Sequence, residues 1–153
     1  MLELFEDVDI NRSEAVWIAQ GLRALANCDG LAAGELAMVE NLERELDIES
    51  TANDDFDADA SPLRGEPQQA VFVRTLVLLS LVDGHVSGRE TDFIVDACQR
   101  MGLSEERRAE LEIDAKKYLL GSLEGVRQYR EQAVAVGKRL GLSEAEIDEV
   151  LAT

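Results

Sequence analysis

Two short stretches of this 153-residue chain repeat one acidic pattern. Residues 25–35 read Leu-Ala-Asn-Cys-Asp-Gly-Leu-Ala-Ala-Gly-Glu, and residues 79–90 read Leu-Ser-Leu-Val-Asp-Gly-His-Val-Ser-Gly-Arg-Glu. In each, an apolar run ends in Asp-Gly (Asp29-Gly30, Asp83-Gly84) and a glutamate follows (Glu35, Glu90), with the two aspartates 54 residues apart. Carboxylate oxygens are hard ligands. A recurring Asp and Glu therefore suit a hard divalent cation such as calcium or magnesium better than zinc or copper.

Ordinary helix punctuation accounts for part of the pattern. Gly84 fits the left-handed residue that ends a helix. Ser87-Gly88-Arg89-Glu90 reads as a capping box, in which Glu90 bonds back to the Ser87 N–H. Neither device explains the aspartates. Asp29 and Asp83 are expected at helix C-termini, where the macrodipole is negative and a carboxylate costs a few tenths to ~1 kcal/mol. A repeated unfavourable charge calls for a partner: a cation, a nearby helix N-terminus or an arginine.

A standard EF-hand is excluded. Asp83 to Glu90 matches loop positions five to twelve, but positions one and three fall on Leu79 and Leu81, which cannot ligate calcium. In the first copy the glutamate also comes one residue early. Asp55, Asp57, Asp59, Ser61 and Glu66 give a second partial match, spoiled by Ala60 at the turn glycine and Pro62 at the apolar position. That segment reads as a solvated acidic loop.

No catalytic constellation accompanies these residues. His85 is the only histidine, and no phosphate-cradling glycine loop or His-x-x-x-His spacing occurs, so a non-enzymatic role is expected. His85 reads as a solvent-facing turn residue. Trp17 and Tyr118 fall in helical stripes and read as core or partly buried. Cys28 and Cys98 have no metal spacing and read as small buried hydrophobes in a reducing, cytoplasmic setting.

The formal charge of −17 disfavours nucleic acid and anionic membranes and suits cations or a basic partner. It is uneven: residues 1–99 carry 21 acidic against 6 basic side chains, residues 100–153 carry 11 against 9. The start, Met-Leu-Glu-Leu-Phe-Glu-Asp, is not a signal peptide, and the longest apolar run, 71–82, is too short to span a bilayer.

These residues need elements to position them. With 46% hydrophobic residues and two prolines, and no alternating strand pattern, the chain reads as one all-α domain over 1–153. After a short acidic start at 2–7, periodicity gives seven helices, at about 12–28, 33–47, 67–82, 87–101, 104–120, 123–140 and 143–152. Asn11 with Glu14, and Ser143 with Glu146, are further capping boxes, while Gly102 and Gly141 read as helix stops. In the second helix Leu36, Val39 and Leu46 are expected to face inward, and Glu40, Glu43 and Arg44 outward. The helix at 67–82 is apolar nearly all round and is expected at the centre. The acidic loop at 48–66 divides repeat halves 12–47 and 67–101, and helices over 104–152 complete a compact bundle with an internal duplicated helix–turn–helix.

With these residues in view, the chain resembles the TerB family, the tellurite-resistance-associated helical domains also found at the N-terminus of a membrane-anchored DnaJ-like co-chaperone. The shared pattern is an apolar helix ending in Ala-x-x-Asp-Gly-x-Val/Ile-x-x-x-Glu, followed by a helix ending near Gly-Leu. Asp83-Gly84-His85-Val86-Ser87-Gly88-Arg89-Glu90 through Gly102-Leu103 follows it closely, and Leu31-Ala32-Ala33-Gly34-Glu35 is one residue short. The resemblance spans roughly 12–152. It implies about seven helices with pseudo-two-fold symmetry, and a stress-response or scaffolding module that chelates a divalent cation through Asp29, Glu35, Asp83 and Glu90. It further implies a protein partner, basic or membrane-associated. A metal-free acidic module that binds a protein is the alternative.

Overall fold

The computed structural model describes residues 3–28, 33–81, 87–123 and 130–152. Among these residues every regular element is a helix, and there are eight: α1 (Glu3–Glu6), α2 (Arg12–Asn27), α3 (Ala33–Glu45), α4 (Glu66–Ser80), α5 (Gly88–Arg100), α6 (Glu105–Ser122), α7 (Arg130–Arg139) and α8 (Glu144–Ala152). The one beyond the expected seven is α1. It is a single turn whose Phe5 is buried, and the Tyr118 hydroxyl donates to the Glu3 carboxylate at 2.6 Å. That bond draws the Glu3 carboxyl down to about 2, while burial and Glu3 together push the Tyr118 hydroxyl up to about 12.

The centre is α4, as its all-round apolar sequence requires: ten of its 15 residues are buried, and α1, α2, α3, α5 and α6 all pack on it. Two hydroxyls inside this apolar helix bond back to their own helix. Thr75 donates to Val71 O and Phe72 O, and Ser80 to Val77 O. Such back-bonding spares the cost of an unpaired buried hydroxyl.

The Arg64 backbone N–H, just before α4, donates to Glu14 in the first turn of α2 at 3.0 Å. Further along, Trp17 stacks on Phe72 at 4.7 Å, so α2 and α4 start together and run in the same sense. Gly21 permits this approach, since a Cβ there would lie 2.7 Å from the Phe72 ring. Arg23 of α2 meets Glu43 late in α3, and Arg100 at the end of α5 meets Asp59 ahead of α4. Helix α3 begins five residues after Cys28 at the end of α2, and α5 seven residues after Leu81 at the end of α4, so both return helices start toward the far end.

The chain between α3 and α4 keeps Asp54, Asp55, Asp57 and Asp59 exposed, as a solvated acidic loop requires, but forms a strap anchored to the core at a few points. Thr51 is buried, Phe56 packs between Trp17 and Phe93, and the Trp17 Nε1–H donates to Asp57 O at 3.0 Å. Glu43 reverses its expected outward placement. It is buried against Arg23 (2.7 Å) and Thr51, whose N–H and hydroxyl both donate to Glu43 Oε2. The strap supplies the two donors that make a buried carboxylate tolerable on this helix.

Helices α7 and α8 pack on each other and on α6, around a second cluster of Leu120, Ala133, Leu142 and Ile147. The α5, α6 and α8 starts are capped by Ser87, Ser104 and Ser143, and the stops at Gly102 and Gly141 have φ of +78° and +85°. Cys98 is buried, which raises its thiol to about 11, whereas Cys28 is only half-buried.

Candidate cation site

Asp29, Gly30, Asp83, Gly84 and His85 lie outside the described residues, so the site is built from the two glutamates. Glu35 and Glu90 each occupy the third residue of a return helix, α3 and α5, and each is 4% exposed. The one-residue difference between the copies therefore falls before the helices, and the carboxylates share a helical position. Because α3 and α5 start at the same end of the bundle, both sit toward that end.

A carboxylate in a first helical turn is favoured by the unpaired N–H groups and the macrodipole there. At α5 the arrangement is the expected box: Ser87 N–H donates to Glu90 Oε1 at 3.2 Å, and Glu90 N–H donates to Ser87 Oγ at 3.1 Å. At α3 the residue three before Glu35 is Ala32, which has no side-chain oxygen to complete such a box.

The same box at α2 provides an internal comparison. Asn11 N–H donates to Glu14 Oε1 at 3.0 Å, and the side chain of Glu14 is wholly buried. There both oxygens are used: Arg64 donates its backbone N–H to Oε2, and its Nε and Nη2 to Oε1 at 3.1 and 2.9 Å. Burial alone would raise the Glu14 carboxyl, but the Arg64 bonds, the Asn11 N–H and the Arg64 charge hold it below its ordinary 4.5. Glu90 has no such complement. Its Oε2 is buried and has no hydrogen-bond partner. A buried carboxylate oxygen without a donor costs on the order of 1–3 kcal/mol, and a cation would remove that cost. The chemistry of Glu90 thus fits a metal ligand.

Most of the other acidic candidates are already engaged by the protein. Asp59 accepts from Arg100 at 2.8 Å through both oxygens, Asp57 Oδ1 accepts the Asp59 N–H, and Glu66 pairs with Arg107 at 2.7 Å. With Ser61 Oγ accepting the Leu63 N–H at 3.3 Å, four of the five EF-hand-like positions are spent on protein contacts. Among the described residues, no group of three or more His, Cys, Asp or Glu side chains is placed to hold a metal ion. None of their helices is long and apolar enough to cross a membrane.

Two buried polar clusters escaped the sequence reading in whole or in part. The Glu14 cap was legible from Asn11, but its Arg64 partner lies 50 residues away. Glu43 with Arg23 and Thr51 carried no local signal, because a buried ion pair and an exposed helix face use the same residue types. Compared with known proteins, the chain matches no family model, and no curated protein or solved structure matches it significantly.

Proposed function

We propose that this chain is a non-enzymatic, TerB-like helical module that binds a divalent cation at its paired Asp-Gly…Glu corners, with Asp29, Glu35, Asp83 and Glu90 as ligands. The observation that carries the reading is the buried Oε2 of Glu90, unpartnered among the described residues, set against the corresponding Glu14 box that Arg64 completes. Two facts add support. Glu35 and Glu90 share one helical position and one end of the bundle, and in the sequence each follows an Asp-Gly pair. The internal duplication and pseudo-two-fold relation of α2–α3 to α4–α5 belong to the same reading. Its biological setting would be a stress-response or scaffolding role with a protein partner, basic or membrane-associated, in a reducing cytoplasmic compartment.

Binding to the native state alone stabilises by about 2.7 kcal/mol at a hundredfold excess over Kd. For a chain of this length that is a rise in Tm of roughly 5–10 °C. Adding millimolar magnesium or calcium to the EDTA-treated protein should produce that rise, and Asp83→Asn and Glu90→Gln should each abolish it. No rise with either cation in a cooperatively folding sample would overturn the reading. The metal-free alternative draws on the excess of acidic side chains over residues 1–99. It predicts salt-sensitive capture of a basic partner that Asp83→Asn leaves intact.

A further inference from the structure

An apolar groove joins the start of the chain to the end of α3. Phe5, Val8, Ile10, Leu46 and Ile48 line a space of about 340 Å³, together with Arg12 and Asp47. All of these apolar side chains but Phe5 are only half-buried. Carboxylates border the groove. Glu6 and Asp7 adjoin Phe5 and Val8 in sequence, Glu45, Asp47 and Glu49 alternate with Leu46 and Ile48, and all five are exposed. None of the five is in an ion pair among the described residues, whereas Asp59 pairs with Arg100, and Glu66 and Glu110 with Arg107. Against them stand the guanidiniums of Arg12 and Arg44, so the border is strongly acidic. We propose that this groove docks an amphipathic helix of a partner protein, with leucine-like anchors on its apolar face and lysines or arginines beside them.

Charge selects that occupant. A second copy of this chain would bring the same acidic border against itself, and an anionic membrane or nucleic acid would be repelled. Apolar floor and acidic border together suit a basic, amphipathic segment. A bound helix satisfies its own backbone, whereas an added strand would need a sheet edge, and the described residues form none. The end of α3 adds a second sign. Gly102 and Gly141 close other helices in the left-handed conformation, but at α3 that place is taken by Asp47, with φ +54°. Glycine suits this backbone better. Aspartate there gives up backbone ease and sets a carboxylate in the groove.

The test titrates the full chain, in EDTA, into a labelled synthetic helix of about 14 residues with leucines at i, i+3, i+4 and i+7 and lysines between them. Two control peptides carry glutamates for the lysines or serines for the leucines. The basic amphipathic peptide alone should bind, and the chain's amide resonances should shift chiefly over residues 5–15 and 45–49. Ile48→Ser should weaken binding about tenfold, and Glu45→Gln with Asp47→Asn about fivefold. Asp55→Asn with Glu106→Gln removes equal charge at exposed sites outside the groove and should change binding by less than about twofold. Asp47→Gly separates binding from folding: it should unfold at higher urea concentration yet bind the peptide more weakly. Equal losses from the two charge-neutralised pairs, resonance shifts on another face, or no binding of the basic peptide overturns the proposal. Each leaves the cation reading untouched, because no metal is in the assay and the groove lies beyond the end of α3, whereas Glu35 lies at its start.

Discussion

Glu14 and Glu90 hold the same position in the same capping motif, so substituting each by glutamine asks what the second carboxylate oxygen does. In Glu14→Gln the amide keeps one acceptor for the Asn11 N–H, but its NH2 then faces the Arg64 backbone N–H that Oε2 accepted at 3.0 Å. A charge-assisted bond worth about 1.5–3 kcal/mol is lost, and a donor is left against a donor. Breaking a wholly buried ion pair costs about 3–5 kcal/mol. Here the Arg64 side chain is 49% exposed and recovers hydration, so the expected loss is lower, roughly 2–4 kcal/mol.

In Glu90→Gln without metal, the terms nearly cancel. Removing a buried charge whose Oε2 has no donor relieves on the order of 1–3 kcal/mol. Against this, the helix loses a favourable first-turn charge, about 0.3–1 kcal/mol, and buries an amide NH2 in place of the oxygen. The net change should fall within about 1 kcal/mol of zero. Urea titrations followed by circular dichroism at pH 7 in EDTA, with unchanged m-values, give both numbers. Saturating magnesium should then stabilise the wild type and leave Glu90→Gln unmoved. If Glu90→Gln in EDTA loses as much as Glu14→Gln, Oε2 has a protein partner and the comparison between the two caps fails. The two sites also differ in acid. Because the Glu14 carboxyl is held below 4.5, its contribution is fully present above that value and is lost as pH falls through the lowered one. The stability gap between wild type and Glu14→Gln should accordingly close on acidification below pH 4.5.

Three further outcomes follow from the packing. Gly21→Ala should destabilise by about 1–2 kcal/mol in urea titration, because a Cβ 2.7 Å from the buried Phe72 ring costs more than the helix propensity it adds; a stabilised variant would contradict the close approach of α2 and α4. Asp47 has φ +54° and takes the place that Gly102 and Gly141 hold at other helix ends, with Ile48 N–H bonded to Glu43 O at 3.0 Å; Asp47→Gly should raise stability by about 1 kcal/mol. Helices α7 and α8 pack mainly on each other and on α6 and have their own small core, so their amides should exchange with deuterium at lower free energy than those of α4, and equal protection would show a single cooperative unit.

What could be read from the sequence divides by range. Caps and stops are local: Asn11 with Glu14, Ser87 with Glu90, Ser143 with Glu146, and the left-handed Gly102 and Gly141 needed only three or four neighbouring residues. The central place of α4 was legible because an all-round apolar helix has nowhere else to go. The partners of buried charge were not legible. Arg64 reaches Glu14 across 50 residues and Thr51 reaches Glu43 across eight, through a strap whose aspartates disguise its Phe56 and Thr51 anchors. The same limit governs the candidate site. Sequence offers Glu90 as a cap and as a cation ligand and does not decide between them, since a capping glutamate needs only one of its oxygens. Only the folded chain distinguishes a cap completed by arginine from one whose second oxygen is buried with no donor, and the proposed cation reading rests on that difference.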